Sequence, residues 1–166
     1  MLHVLNSDIS IAGALCREDV TKLAQRGYKA IIDLRADEEP TCGGLKPVEE
    51  QSCVADQGLS YRNMPIGATT LDSCHIDHMN EAVRKAQGRV LIHCGSGRRA
   101  CALALIHISS EKGSSIEECM AEARKHGFDW DTMPGLRDFF VRYLKGHGPR
   151  PRTTRRVTRR KTHAVS

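Results

Sequence analysis

Apolar positions along the chain switch repeatedly between a period of two and one near three and a half, and this alternation predicts the element order. His3-Val4-Leu5 and Ile9-Ser10-Ile11-Ala12 read as short strands around the turn residues Asn6-Ser7-Asp8. Val20, Leu23 and Ala24 share one face of a helix over 17–26, which Gly27 ends. Residues 29–34 then form a strand, 35–44 a loop rich in charge, 47–57 a helix ended by Gly58, and 59–64 a further strand. Beyond the loop 65–70, a helix over 73–87 carries Ile76, Met79, Val83 and Ala86 on one side. Val90-Leu91-Ile92 has the continuous apolar character of a strand buried on both faces. Helical spacing returns in Ala100, Leu103, Ala104, Leu105 and Ile108. Ser115-x-x-Glu118 is a capping box for a helix over 116–126, and Leu136, Phe139, Phe140, Tyr143 and Leu144 anchor a last helix over 134–145.

Strands alternating with helices imply βαβ units, hence an α/β fold with a mostly parallel central sheet flanked by helices. Ligands of such sheets bind beyond the carboxyl ends of the strands. Arg35 and Asp37 follow one strand end, residues 65–72 a second and Cys94 a third, so one face collects all three groups.

At 166 residues the chain suits one domain, over 1–146, with a tail over 147–166. No apolar run approaches the roughly 20 residues of a membrane helix. The start, MLHVLNSDIS, lacks a charged segment followed by an apolar one, so no secretory signal is expected. Of the 25 Lys and Arg, seven lie in the tail, which has no acids; the body keeps 18 against 20 acids, a formal −2. The net charge of +5 therefore belongs to the tail. That tail has almost no apolar residues, so disorder is expected there, and any contact with polyanions would be phosphate-driven and sequence-blind.

The chemistry concentrates where the central strand meets the next helix, at His93-Cys94-Gly95-Ser96-Gly97-Arg98-Arg99. A strand, a short glycine-rich loop and a helix start together form an anion site, because loop amides and the helix N-terminus point positive charge at one spot. Cys94 opens the loop, where that field favours thiolate over thiol. Gly95, Ser96 and Gly97 supply amides and close backbone approach, and Arg99 offers a planar fork for a tetrahedral oxyanion. Arg98 is either a second phosphate contact or a solvated residue of the first helical turn. His93 is expected to order the loop through hydrogen bonds rather than act as a base. Seven cysteines without a CxxC pair, one of them a proposed reactive thiol, fit a reducing cytoplasm.

HCGSGRR resembles the signature loop of the cysteine-dependent phosphatases, the superfamily of protein tyrosine and dual-specificity phosphatases. That superfamily usually places five residues between Cys and Arg and a Ser or Thr after the Arg; here four residues intervene and Ala100 follows. The loop is closer to the Cys-x-Ser-Gly-x-Arg of the bacterial phosphatase-like domain of the beta-lactamase hydrolase-like family. Ile9 to Gly13, Glu18-Asp19-Val20 and Ile31 to Asp37 extend the resemblance over about residues 8–110. It implies a protein tyrosine phosphatase-like fold, a phosphorylated substrate (protein or small molecule), a phosphocysteine on Cys94, Arg99 as the clamp and no cofactor.

The resemblance places a general acid near Gly67 or Ala68, where no acid stands. Asp72 and Asp37 are the substitutes, although Asp72 also occupies the N-cap position of the following helix. Two rival readings keep the same loop: a rhodanese-like sulfurtransferase carrying a persulfide on Cys94, and a non-catalytic phosphate-binding module. Cys74-His75-x-x-His78 has metal-ligand residue types but sits at a helix start without a fourth ligand, so no metal is assigned. Cys42, in the charged loop, is either an ordinary loop thiol or a partner for Cys94 under oxidation.

Overall fold

The structure is a computed structural model that describes residues 1–67 and 70–146. The expectations for the tail and for Ala68 lie outside the described residues. Five strands, β1 (Leu2–Val4), β2 (Ile9–Ala12), β3 (Tyr28–Asp33), β4 (Ser60–Asn63) and β5 (Arg89–His93), form one sheet in the order β1-β2-β5-β3-β4. β1 pairs antiparallel with β2, and every other pairing is parallel. The helices are α1 (Arg17–Gln25), α2 (Pro47–Asp56), α3 (Ser73–Lys85), α4 (Arg98–Lys112), α5 (Ile116–Lys125) and α6 (Pro134–Gly146). The expected α/β architecture is the observed one. A short 3-10 turn over Trp130–Thr132, which no periodicity announced, precedes α6 and buries Trp130 against Phe140.

Alternation along the strands divides the core into two layers, because successive side chains of a strand point to opposite faces. Val90 and Ile92 of β5 pack with Ala30 and Ile32 of β3 beneath α3 and α4. Leu91 and Ile31 face the other way, onto Val20, Leu23, Cys53 and Val54 of α1 and α2. Each such aliphatic side chain contributes about 1.5–3 kcal/mol when fully buried. α4 is buried on almost every side from Ala100 to His107, which explains why its sequence is apolar around the whole helix.

The carboxyl ends of the parallel strands are tied to one another. The Leu34 N–H donates to the His93 carbonyl (3.0 Å), and the Ile66 N–H donates to Leu34 (3.1 Å). On the other side of β5, the Ala14 N–H donates to Gly95 (3.1 Å) and the Cys94 N–H to Ala12 (3.4 Å). In register, Ala12 and Asp33 both stand opposite His93. The loops after β2, β3, β4 and β5 thus meet at one edge, with the Cys94 loop in the middle.

Candidate active site

Gly97 decides the shape of the loop. It is the N-cap of α4 in the left-handed conformation (φ 83°). A Cβ added there would lie 3.2 Å from Phe128 Cζ and 3.3 Å from the Ala12 carbonyl, so both conformation and space require glycine. The turn lets α4 begin at Arg98, two residues before Ala100, the first position of the apolar spacing, and the Cys101 N–H already bonds the Gly97 carbonyl (2.8 Å). It also aims the Gly97 N–H at Cys94 Sγ, 3.1 Å away. The sulfur thus receives an amide hydrogen bond at the N-terminus of a helix. Cys94 is fully buried, Ser96 and Arg98 are exposed, and Gly95 is half-buried.

Arg99 leans across the sheet edge instead of into solvent. Its Nη1 donates to the carbonyls of Leu34 (3.1 Å) and Ile66 (2.6 Å) and to Glu39 Oε1 (2.7 Å), while Nη2 donates to Glu39 Oε2. Glu39 thus grips the end of the fork, and its Oε1 also accepts from the Ala36 N–H (3.0 Å). The guanidinium also interacts with the Cys94 side chain, so clamp and sulfur adjoin. The Glu39 hydrogen bonds raise the guanidinium above its ordinary value against the opposing effect of burial, and the nearby Cys94 adds to the rise. Arg99 in turn holds the Glu39 carboxyl below its ordinary range, outweighing burial.

His93 points to the opposite layer from Cys94, as strand parity requires, and joins a buried ionic cluster there. Its Nε2 lies 2.7 Å from Glu50 Oε1 and 3.6 Å from Asp33 Oδ1, an ion-pair distance without the alignment of a hydrogen bond. Arg35 Nη2 bridges Asp33 Oδ2 (2.7 Å) and Glu50 Oε2 (2.6 Å), and its Nη1 donates to the Leu45 carbonyl (2.9 Å). The Tyr61 hydroxyl donates to Asp33 Oδ2 (2.9 Å). Burial works to raise the Asp33 carboxyl, but the Arg35 hydrogen bonds and the neighbouring His93 hold it below its ordinary value. Burial and the Asp33 and Glu50 charges push the Tyr61 phenol up. Donor atoms of Asp33, Glu50 and His93 lie within 4.8 Å of one another, a spacing that a cation would tolerate. Both carboxylates already face the Arg35 guanidinium, so the cluster carries its own counter-charge.

Among the described residues, neither substitute acid hydrogen-bonds Arg99 or the Cys94 loop. Asp72 is exposed and caps α3: its Oδ1 accepts from the His75 N–H (3.1 Å) and lies 2.7 Å from His75 Nδ1. The His75 N–H holds its carboxyl below the ordinary range, and an ionised cap is a poor proton donor. Asp37 is exposed on the loop after β3, and the carboxylate of that loop that reaches the guanidinium is Glu39. Of the Cys74-His75-x-x-His78 group, His75 turns back to Asp72, leaving Cys74 Sγ 3.9 Å from the His78 ring nitrogens.

Sequence reasoning missed Glu39, Glu50, Asp33 and Tyr61. Glu50 had left a signal: it lies on the same stripe of α2 as Pro47, Cys53 and Val54, a charge on an apolar face. Asp33 and Arg35, two apart at a strand end, were another. Glu39 left none, because its partner is 60 residues away.

Comparison with known proteins agrees with this geometry. Residues 1–110 match the family model described as "Beta-lactamase hydrolase-like protein, phosphatase-like domain". A beta-lactamase hydrolase-like protein of Xylella fastidiosa (strain Temecula1 / ATCC 700964) is 32% identical over 126 residues, covering 75% of this chain and 29% of that protein. The chain thus spans less than a third of the length of the curated relatives it matches. Among solved structures, P. aeruginosa TpbA, as a Cys-to-Ser variant in complex with pTyr, superposes with a TM-score of 0.69 at 15% identity, covering 84% of this chain and 82% of that one. PTPMT1 gives 0.69 at 13% identity, covering 89% and 96%. The fold is that of the protein tyrosine phosphatase-like enzymes, and the chain belongs to the phosphatase-like domain family of the beta-lactamase hydrolase-like proteins.

Proposed function

We propose that this domain is a cysteine-dependent phosphatase that hydrolyses phosphate monoesters through a phosphocysteine on Cys94. The observation that carries the reading is the Gly97 N–H on Cys94 Sγ at the head of α4, with the Arg99 guanidinium beside the sulfur. The thiolate attacks phosphorus and the bond to the leaving oxygen breaks. Water then attacks phosphorus, releasing inorganic phosphate and restoring the thiolate. Loop amides of Gly95, Ser96 and Gly97 and the Arg99 fork hold the equatorial oxygens through both steps. His93 acts from the other layer as a positioning residue, since its partners are Glu50 and Asp33.

Aryl phosphates are the substrates that suit this site best. A phenolate leaves without protonation, and the Asp72 cap is not a ready acid. TpbA, solved with pTyr, supports the same class. The cysteine content supports a reducing compartment, the cytoplasm, and the basic tail supports weak, salt-sensitive polyanion contact that deletion of residues 149–166 would remove.

The test is a pair of assays on the purified protein. One supplies an aryl phosphate, the other thiosulfate with cyanide. Phosphate release that disappears in Cys94→Ser and falls steeply in Arg99→Lys, where a fork becomes a point charge, supports the proposal. Thiocyanate without phosphate release would transfer the site to sulfur transfer. Neither product, with phosphate still bound, would make it a binding module.

A further inference from the structure

Arg35 takes no part in the steps above, yet it stands where the buried ionic cluster meets the loop that carries Glu39. Its Nε donates to Asp33 Oδ1 (2.9 Å) and Oδ2 (3.2 Å), and its Nη2 to Asp33 Oδ2 and Glu50 Oε2. Those carboxylates take the Nε–H and both Nη2–H groups, so they fix the plane of the guanidinium. The remaining corner, Nη1, is thereby aimed at the Leu45 carbonyl, 2.9 Å away. Arg35 opens the loop 36–45 and Leu45 ends it, one residue before Lys46, the N-cap of α2. One side chain therefore clips the two ends of that loop together.

Each end is held from a second side as well. The Arg35 N–H donates to Asp33 Oδ1 (2.9 Å), and Asn63 Nδ2 donates to the Arg35 carbonyl (2.9 Å). Ahead of Leu45 the chain makes a tight turn, in which Cys42 (φ 52°) and Gly43 (φ 82°) are central and the Gly44 N–H donates to Thr41 (2.9 Å). The turn is seated on the loop after β2. The Leu45 N–H donates to the Leu15 carbonyl (2.8 Å), and a Cβ on Gly44 would come within 2.6 Å of that same oxygen. Glu39 lies within the closed loop, and its carboxylate grips Arg99.

We propose that Arg35 is a positioning residue of the phosphatase reaction, acting on Arg99 through the loop 36–45 and Glu39. This rests on the reading of Arg99 as the anion clamp. The chain of contacts runs from Asp33 and Glu50 to the Arg35 fork, from the fork to Leu45, and through the closed loop to Glu39 and the angle of Arg99. A productive clamp needs alignment to about 0.5 Å, and a loop open at one end does not give it. A purely structural Arg35 would neutralise Asp33 and Glu50 and do nothing more. Arg35→Lys separates the two roles. The ammonium keeps the positive charge between the carboxylates, but as a point charge on a flexible stem it does not hold Leu45 as well.

The experiment is a double-mutant cycle on the full chain: parent, Arg35→Lys, Glu39→Gln and the double variant. Each is read by kcat and KM for an aryl phosphate, inhibition by inorganic phosphate, and urea midpoint. Arg35→Lys should lower kcat/KM about threefold to tenfold and weaken phosphate inhibition, the coupling expected within one contact network. In the Glu39→Gln background the same substitution should change neither by more than about twofold, although its effect on the urea midpoint persists. Falls in kcat/KM that multiply in the double variant would overturn the proposal, as would parental turnover and phosphate inhibition in a folded Arg35→Lys. Asn63→Ala is the second variant, for an Arg35→Lys that does not fold. It releases the Arg35 carbonyl, leaves the buried charges in place and is judged by the same cycle. A protein that binds phosphate without turnover is read by calorimetric titration of phosphate in the same four forms, which separates this proposal from the phosphatase reading. A parent that neither turns over nor binds phosphate would overturn the clamp reading and this proposal with it.

Discussion

Replacing Glu39 tests the least expected part of the site. Arg99 is 13% exposed and Glu39 28%, so the pair is neither a solvated surface bridge, worth about 0–1 kcal/mol, nor a fully buried one, worth about 3–5 kcal/mol when broken. Hydrogen bonds to charged groups contribute about 1.5–3 kcal/mol, and a glutamine keeps one of the two acceptors. Glu39→Gln should therefore lose about 1–1.5 kcal/mol of transition-state stabilisation, roughly a tenfold fall in kcat/KM, with Glu39→Ala falling further. The assay is steady-state hydrolysis of an aryl phosphate with inorganic phosphate as inhibitor. If Glu39 aligns the fork, both variants fall in kcat/KM and phosphate inhibits them less. Because the Glu39 carboxyl is held below its ordinary 4.5, its grip is present at neutral pH and is lost only as pH falls through that lowered value. The parent should thus have an acid limb that Glu39→Gln lacks. Tighter phosphate inhibition in Glu39→Gln, with kcat unchanged, would refute the positioning role and make the carboxylate a competitor for the fork.

Three further outcomes are expected. Glu50→Ala should cost about 3–5 kcal/mol in urea denaturation, since it removes one of the two buried carboxylates that Arg35 and His93 share. Asp33 is held below its ordinary value, so its contribution to stability is present above about pH 4 and is lost as pH falls through the folded value; Asp33→Asn should flatten the acid side of a Tm-against-pH curve. Cys42→Asn should raise stability by about 0.5–1 kcal/mol, because it relieves the left-handed backbone of the turn, and a fall in urea midpoint would contradict that account.

The layers of the fold were legible because each strand and helix announces itself locally. Periodicity located β5 to within a residue and the middle of α4, and Ser115-x-x-Glu118 gave the start of α5. The exception is Trp130–Thr132, whose three residues are too few to carry a period. Cys94, Gly97 and Arg99 were legible for the same reason: loop, cap and clamp occupy six consecutive positions, so their chemistry is written in spacing alone.

The groups that tune the site were illegible because they arrive from other strand ends. A cation that must grip an anion needs a second group to hold its angle, and neither the identity nor the sequence position of that group follows from the loop. Here the charged segment after β3 supplies it, and the same segment brings Cys42 to Gly95. Its spacing is set by the turn seated on Leu15, which depends on how β2 and β3 flank β5. Strand order, and not any motif, therefore gives residues 36–45 their hold on the nucleophile. A change of length in that loop should disturb turnover while leaving the Gly97 cap of α4 in place.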